Sequence, residues 1–235
     1  MPNWIMNQLV AYNLDPAAKT ALEKAFKSDR PFQAIYPMPK ILEETQSPVP
    51  YCLEKMFGRS RPPLSAFLDG AELYTSSVRK STWREKILEI GVDEVMRRID
   101  EDKSIEANIA EKAKLTITAI VKTEYANWYD WRLDKWGVKW DASNVSVEDE
   151  TSFQDEPTGN PDLIVNFYTP WGPPSGVLQE LTEQHPEARF YLRCADEFGP
   201  GNGIGFLVAE AGLIDERDID DEKDFFDKLW FGRDS

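Results

Sequence analysis

Few residues in this chain have the types and spacing that chemistry needs. Adjacent carboxylates such as Asp196 with Glu197, or Glu148 to Glu150, could in principle serve as an acid and a base. In a stretch so rich in carboxylates such pairs arise by chance, and no matched nucleophile stands beside them. His185 is the only histidine and precedes Pro186 at an expected helix end, where the helix dipole accounts for it, so a Ser-His-Asp arrangement is unsupported. The glycines of GPGNGIG, 199 to 205, lie between extended runs and open no helix, so neither phosphate-binding fingerprint applies. No catalytic residue, metal set or cofactor is expected.

The most informative segment is NWYDWRLDKWGVKWDA, residues 127 to 142, with four of the eight tryptophans. On a helix from Tyr125 to Trp136, Tyr125, Trp128, Tyr129, Arg132 and Trp136 fall within one sector of roughly 100 degrees. A guanidinium among these rings could stack while keeping its donors for a carboxylate or phosphate. The alternative is a structural arginine packed between helix and sheet. Asp130 and Asp134 project from the other side as solvated carboxylates, and Gly137 is a natural C-cap that lets Trp140 turn back. In YTPWGPP, 168 to 174, prolines fix a loop in which Trp171 either covers the core edge or offers a platform to a partner.

Charge divides the chain. The formal net charge is −15; residues 1 to 140 carry 21 basic and 20 acidic side chains, whereas 141 to 235 carry 6 and 22, for a net of −16. Such a field repels nucleic acid and steers basic partners, so a protein with a basic surface is the expected partner and direct nucleic-acid binding is not. Glu148, Asp149, Glu150, Asp155 and Glu156 are the carboxylates singled out for that surface; the plain alternative is a solubilising face. With 29% charged residues and no long apolar run, no membrane span is expected. The start lacks the pattern of a secretory signal, and Cys52 and Cys194 have no partners at metal-ligand spacing, so a cytoplasmic location with two buried thiols is expected.

The elements that must position these residues are of two kinds. Residues 3 to 13 read as a strand buried on both sides, and Asp15-Pro16 caps a helix carrying Ala18, Leu22, Ala25 and Phe26. PFQAIYPMP, 31 to 39, reads as a short strand. Residues 40 to 80 read as irregular, with short helices at most. A capping box at Thr82 and Glu85 opens a helix pair, and 104 to 123 continue at helical period into the tryptophan segment. Thereafter come extended runs at 145–149, 163–168, 189–195 and 203–211, with a helix at 174–184 between the second and third, and an amphipathic tail from Asp220 to Trp230.

The chain resembles the YubB-type ferredoxin-like domain proteins of phages and plasmids. The resemblance is carried by MPNW with Asn7, YPMPKIL at 36 to 42, WYDWRLDKWGVKWDA at 128 to 142 and YTPWGPP; Met6 departs from the family pattern, and 43 to 123 match nothing. It implies a ferredoxin-like fold and a mobile-element origin, and transfers no catalytic residue.

Together these readings predict an α+β protein: a ferredoxin-like antiparallel sheet with helices on one face and a helical insertion in the middle. The expected parts are 1–42, a strand-helix-strand joining the sheet; 43–123, the insertion; 124–212, the tryptophan-motif helix and ferredoxin-like domain; and 213–235, an acidic tail. One lobe or two remain open. The expected function is that of a non-enzymatic mobile-element accessory protein that binds a host protein through its acidic surface, with DNA mimicry as a specific form. The competing expectation is a ligand-binding protein or enzyme with an anion pocket at Arg132.

Overall fold

The computed structural model describes residues 3–58, 81–153 and 159–232. The chain opens with β1 (Trp4–Tyr12), α1 (Pro16–Phe26) and α2 (Pro31–Ile35). Then come α3 (Lys40–Glu43), α4 (Tyr51–Phe57), α5 (Trp83–Ile90), α6 (Val92–Glu101), α7 (Ala107–Thr123) and α8 (Trp128–Lys135). The remainder is β2 (Ser143–Glu148), β3 (Leu163–Pro170), α9 (Ser175–Gln184), β4 (Arg189–Asp196), β5 (Ile204–Glu210), β6 (Leu213–Glu216) and α10 (Glu222–Phe231).

Two compact units result. The first joins Met1–Pro37 to Trp136–Ser235, and the second is Met38–Lys135. The cuts thus lie near 37 and 135, where 42 and 123 were expected, because α8 belongs with the helices before it.

In the first unit the sheet order is β2-β3-β1-β4-β5-β6, with antiparallel neighbours throughout. Its first four strands, with α1 and α9 as crossovers, form the β-α-β-β-α-β ferredoxin-like arrangement, which β5 and β6 extend. The fold is therefore α+β as expected. The helical unit interrupts the first crossover of the sheet, between α2 and β2.

β1 is central, so both its faces are buried. On one face Leu9, Phe167 and Leu192 meet Phe26 of α1, Phe32 of α2 and Val177, Leu178 and Leu181 of α9. On the other, Met6 and Ala195 pack against Phe225, Phe226 and Leu229 of α10. The helical face expected from sequence is present, and the acidic tail helix takes the opposite one.

Several local signals hold. Asp15 accepts the Ala17 and Ala18 N–H groups at 2.8 and 2.9 Å, capping α1. The glycine-rich run connects β4 to β5 as a hairpin, with Gly199, Gly201 and Gly203 at positive φ. Others fail for identifiable reasons. Residues 31 to 35 are helical, not extended, because the Asp141 carboxylate accepts the Phe32 and Gln33 N–H groups at 2.7 and 3.2 Å. That cap comes from more than a hundred residues away. The expected box at Thr82 does not form; Ser81 Oγ accepts the Trp83 N–H at 3.3 Å. Glu124 adopts a left-handed conformation, φ 69°, which ends α7 before the tryptophan segment. β6 was not expected, although Ala211 and Gly212, both at positive φ, make the two-residue turn that a hairpin favours.

The helical unit has its own core. Leu53, Phe57, Trp83, Ile87, Val95, Ile99, Ile117 and Ile120 are buried together. The Trp83 indole N–H donates to the Gly58 carbonyl at 3.1 Å.

Gly137 lies just beyond α8 at φ +83°, and a Cβ there would lie 2.9 Å from Ser175 Oγ, 3.1 Å from its backbone nitrogen and 3.3 Å from the Pro173 carbonyl. Backbone cannot yield as a side chain can. Gly137→Ala should cost about 2–4 kcal/mol, combining a left-handed penalty with overpacking. Denaturant melting checks this; Ser175→Ala in the same background should recover only part of the loss, since it removes the shortest contact and leaves the two with backbone and the left-handed penalty.

Candidate functional site: an aromatic face on the acidic unit

The tryptophan segment is divided between the two units. Tyr125, Trp128, Tyr129 and Arg132 belong to the helical unit, whereas Trp136, Trp140 and Trp171 belong to the sheet unit. The helix spans only Trp128–Lys135, so the expected helix from Tyr125 to Trp136 is short at both ends.

In the helical unit Tyr125 is buried, and its hydroxyl donates to the Asp134 carboxylate. Asn127 and Asp130 bond reciprocally, amide to carboxylate at 2.8 Å and backbone N–H to amide oxygen at 3.0 Å. Asp130 is 3% exposed and the Asp134 side chain likewise, so the expectation of two solvated carboxylates is corrected. They brace the segment that precedes and forms α8. Arg132 does stack, its guanidinium 5.1 Å from the Trp128 ring centroid. Tyr125 and Trp136 are both buried, so neither offers the open ring expected of it.

In the sheet unit Trp136 is core. Its ring is fully buried edge-on to Phe32 at 5.9 Å, and its indole N–H donates to the Tyr36 carbonyl at 2.9 Å. Beyond Gly137 the chain turns outward. Trp140 is 37% exposed and Trp171 53% exposed, large fractions for indoles. Their centroids are 5.4 Å apart with planes tilted by 42°, and Trp4 lies 6.3 Å behind Trp140. The Lys139 ammonium sits over both outer rings, 5.0 Å from Trp140 and 5.6 Å from Trp171.

The strands explain this clustering. Trp4 starts β1 and pairs with Pro170 at the end of β3, so the Trp171 N–H reaches the Asn3 carbonyl at 2.9 Å. Trp171 is held at φ +64°, a region costing a bulky side chain on the order of 1–2 kcal/mol. The flanking Pro170, Pro173 and Pro174, and the Thr169 hydroxyl donating to the Gly172 carbonyl at 2.7 Å, over-determine that loop. On the other side of β1, Glu197 accepts the Trp4 N–H at 3.0 Å and returns its own N–H to the Trp4 carbonyl. Asp196 accepts the Phe198 N–H at 2.9 Å, and Phe198 is 66% exposed. The Asp196–Glu197 pair thus braces a strand end.

The charge is concentrated on this same unit. Its segments contain 25 acidic and 11 basic residues, net −14, against 17 and 16, net −1, in the helical unit. Glu148 closes β2 half-buried, and Asp149 and Glu150 are exposed beyond it. Asp155 and Glu156 lie outside the described residues. Further carboxylates line the opposite edge of the sheet, including Asp215, Glu216 and Asp218.

A second feature lies on the face shared with α10. Arg193 is 3% exposed, its guanidinium carbon 4.3 Å from the Phe153 centroid and 4.9 Å from that of Phe206. Burial pulls its pKa down to about 10. Alongside, Tyr191, Phe206 and Val208 floor an open cleft of about 560 Å³ edged by Arg189, Glu216, Arg217 and Asp218. Arg189 is committed to Glu210 at 2.7 Å. Both cysteines are buried, and burial raises both thiols, that of Cys194 up to about 12, which disfavours the reactive thiolate. Among the described residues no group of acidic, histidine or cysteine side chains could hold a metal ion, and no helix is long and apolar enough to cross a membrane.

Sequence reasoning reached Trp140 and Trp171 but missed Trp4, Lys139 and Phe198. Only Lys139 carried a local signal, its adjacency to Trp140; the others are assembled by strand pairing.

No family model matches the chain, and no curated protein does. A solved structure, protein api92 from Yersinia pseudotuberculosis with the family model DUF1281, aligns with 94% of this chain and 100% of its own at 12% identity and a TM-score of 0.36.

Proposed function

We propose that the chain is a non-enzymatic binding protein whose acidic, ferredoxin-like unit engages a basic protein partner. The observation that carries this reading is the pair of exposed indoles, Trp140 and Trp171, on the unit that holds nearly all of the net charge. Exposed tryptophan is the residue most often found at binding hot spots, and a field of one sign selects and steers partners of the other. The resemblance to YubB-type proteins supports the further proposal that the partner is a host protein met by a mobile-element accessory protein. In its narrower form, DNA mimicry, Glu148, Asp149, Glu150, Asp155 and Glu156 would stand in for phosphates in a basic channel.

The test is capture from bacterial lysate by the parent chain and by a variant with those five carboxylates changed to amides, at low and moderate salt. The parent should recover one or more basic proteins at low salt, and the amide variant should lose them. Equal recovery by both chains, or recovery of acidic proteins alone, would sink the reading.

A further inference from the structure

We infer that Trp140 and Trp171 form a cation cradle that accepts an arginine side chain of the basic partner, with Lys139 as its resident place-holder. This rests on the binding reading above and names its point of contact.

The geometry already displays the chemistry. Two exposed indoles tilted by 42°, with centroids 5.4 Å apart, make an open V, and an ammonium lies 5.0 and 5.6 Å from the two centroids. Both distances are within the range in which a ring quadrupole attracts a cation. The Lys139 Nζ therefore marks where a partner's cation would go. An ammonium is compact and strongly hydrated, whereas a guanidinium is flat, weakly hydrated and able to stack while its N–H groups reach outward. Replacing the resident lysine with an arginine thus exchanges a weak contact for a stronger one.

The cradle is built in advance of any partner. Trp171 is fixed in a left-handed conformation by its bond to Asn3 and by neighbouring prolines, and Trp4 backs Trp140 at 6.3 Å. Little ordering remains to be done on binding. The choice of occupant follows from charge. With 25 acidic against 11 basic residues in this unit, a cationic side chain is drawn toward the rings, while a nucleic-acid base would arrive with a repelled phosphate.

The experiment is a calorimetric titration of the full chain with hexa-arginine, hexa-lysine and hexa-proline peptides at low salt. The parent should bind hexa-arginine more tightly than hexa-lysine, and hexa-proline least. Lys139→Met should tighten hexa-arginine binding, since it removes the resident cation from both rings. Trp171→Ala should weaken it roughly ten-fold, and Trp171→Phe by less, in the order of ring strength. Melting curves check that these variants are folded.

Three results would overturn the cradle: Lys139→Met leaving affinity unchanged or lower, a folded Trp171→Ala chain binding as the parent does, or hexa-proline binding as well as hexa-arginine. If hexa-arginine binding depends on the five carboxylates but ignores Trp171, the cradle fails while the acidic-surface reading stands. If the lysate test fails as well, both fall.

Discussion

Trp136→Ala is expected to cost the sheet unit about 3–5 kcal/mol, the range for deleting a large buried aromatic. The indole has no solvent exposure, so its removal leaves a cavity bounded by Phe32 and its neighbours. The loss is not only volume. The Tyr36 carbonyl also loses the N–H it accepts at 2.9 Å, which adds the cost of a lost hydrogen bond. α2 has five residues and depends on tertiary contacts: Asp141 at its first turn and Trp136 just beyond its last. Trp136→Phe keeps much of the ring but loses the hydrogen bond together with part of the buried volume, and should cost less than the alanine variant, about 1–3 kcal/mol. Exchange protection of amides in β1 and β3 is the suitable readout. A loss below about 1 kcal/mol for the alanine variant would mean that this residue is not the core anchor described.

A comparable effect is expected from a single-atom change at Asn7. This side chain is fully buried on the central strand, its amide donating to the Ile5 carbonyl at 3.0 Å and to the Thr169 hydroxyl oxygen at 2.7 Å. Thr169 in turn fixes the loop that carries Trp171 through its bond to Gly172. Asn7→Asp would set a carboxylate oxygen against the Ile5 carbonyl with no solvent, at a cost of about 3–5 kcal/mol at neutral pH. Burial raises the carboxyl pKa above its unfolded value near 3.9, so the native state holds the proton more strongly. The variant's stability is therefore greatest below that unfolded value, falls as pH rises through the folded pKa, and remains low above it. Asn7→Leu, close in shape and uncharged, should cost only about 1–2 kcal/mol and show no such slope. Urea midpoints at about pH 4 and about pH 7 distinguish the two. An Asn7→Asp chain whose deficit is the same at both would contradict a buried, solvent-free site.

Local chemistry was legible at two sites whose partners lie close in sequence, whereas the equally local Ser81 cap of α5 and the Asn127–Asp130 pair were missed. Asp15 and Pro16 start α1 and the glycines between Asp196 and Ile204 turn a hairpin, each a matter of a few neighbouring residues. Alternation and period separated the sheet from the helical insertion, because β1 is central and α7 is long. The strand assigned to 31–39 failed because Asp141 supplies its helix cap from a distant loop. The candidate site divided for a similar reason. Composition marked the tryptophans but could not assign them, since burial of Trp136 depends on Tyr36 and Phe32, and exposure of Trp140 depends on a turn at Gly137. Trp4 and Phe198 join the exposed rings only through the pairing of β1 with β3 and β4, which no local pattern encodes. Asp130 and Asp134 read as solvated in the sequence because carboxylates usually are; their partners, Asn127 and Tyr125, show why these two are not.

The most direct test of the account is amide hydrogen exchange on the chain with and without the basic partner recovered from lysate. Binding through the acidic aromatic face should slow exchange at Lys139 and Trp140, across 168 to 172 and from Asp196 to Gly203, leaving Met38–Lys135 unchanged. Protection confined to Met38–Lys135 would place the contact on the nearly neutral helical unit and contradict the central claim.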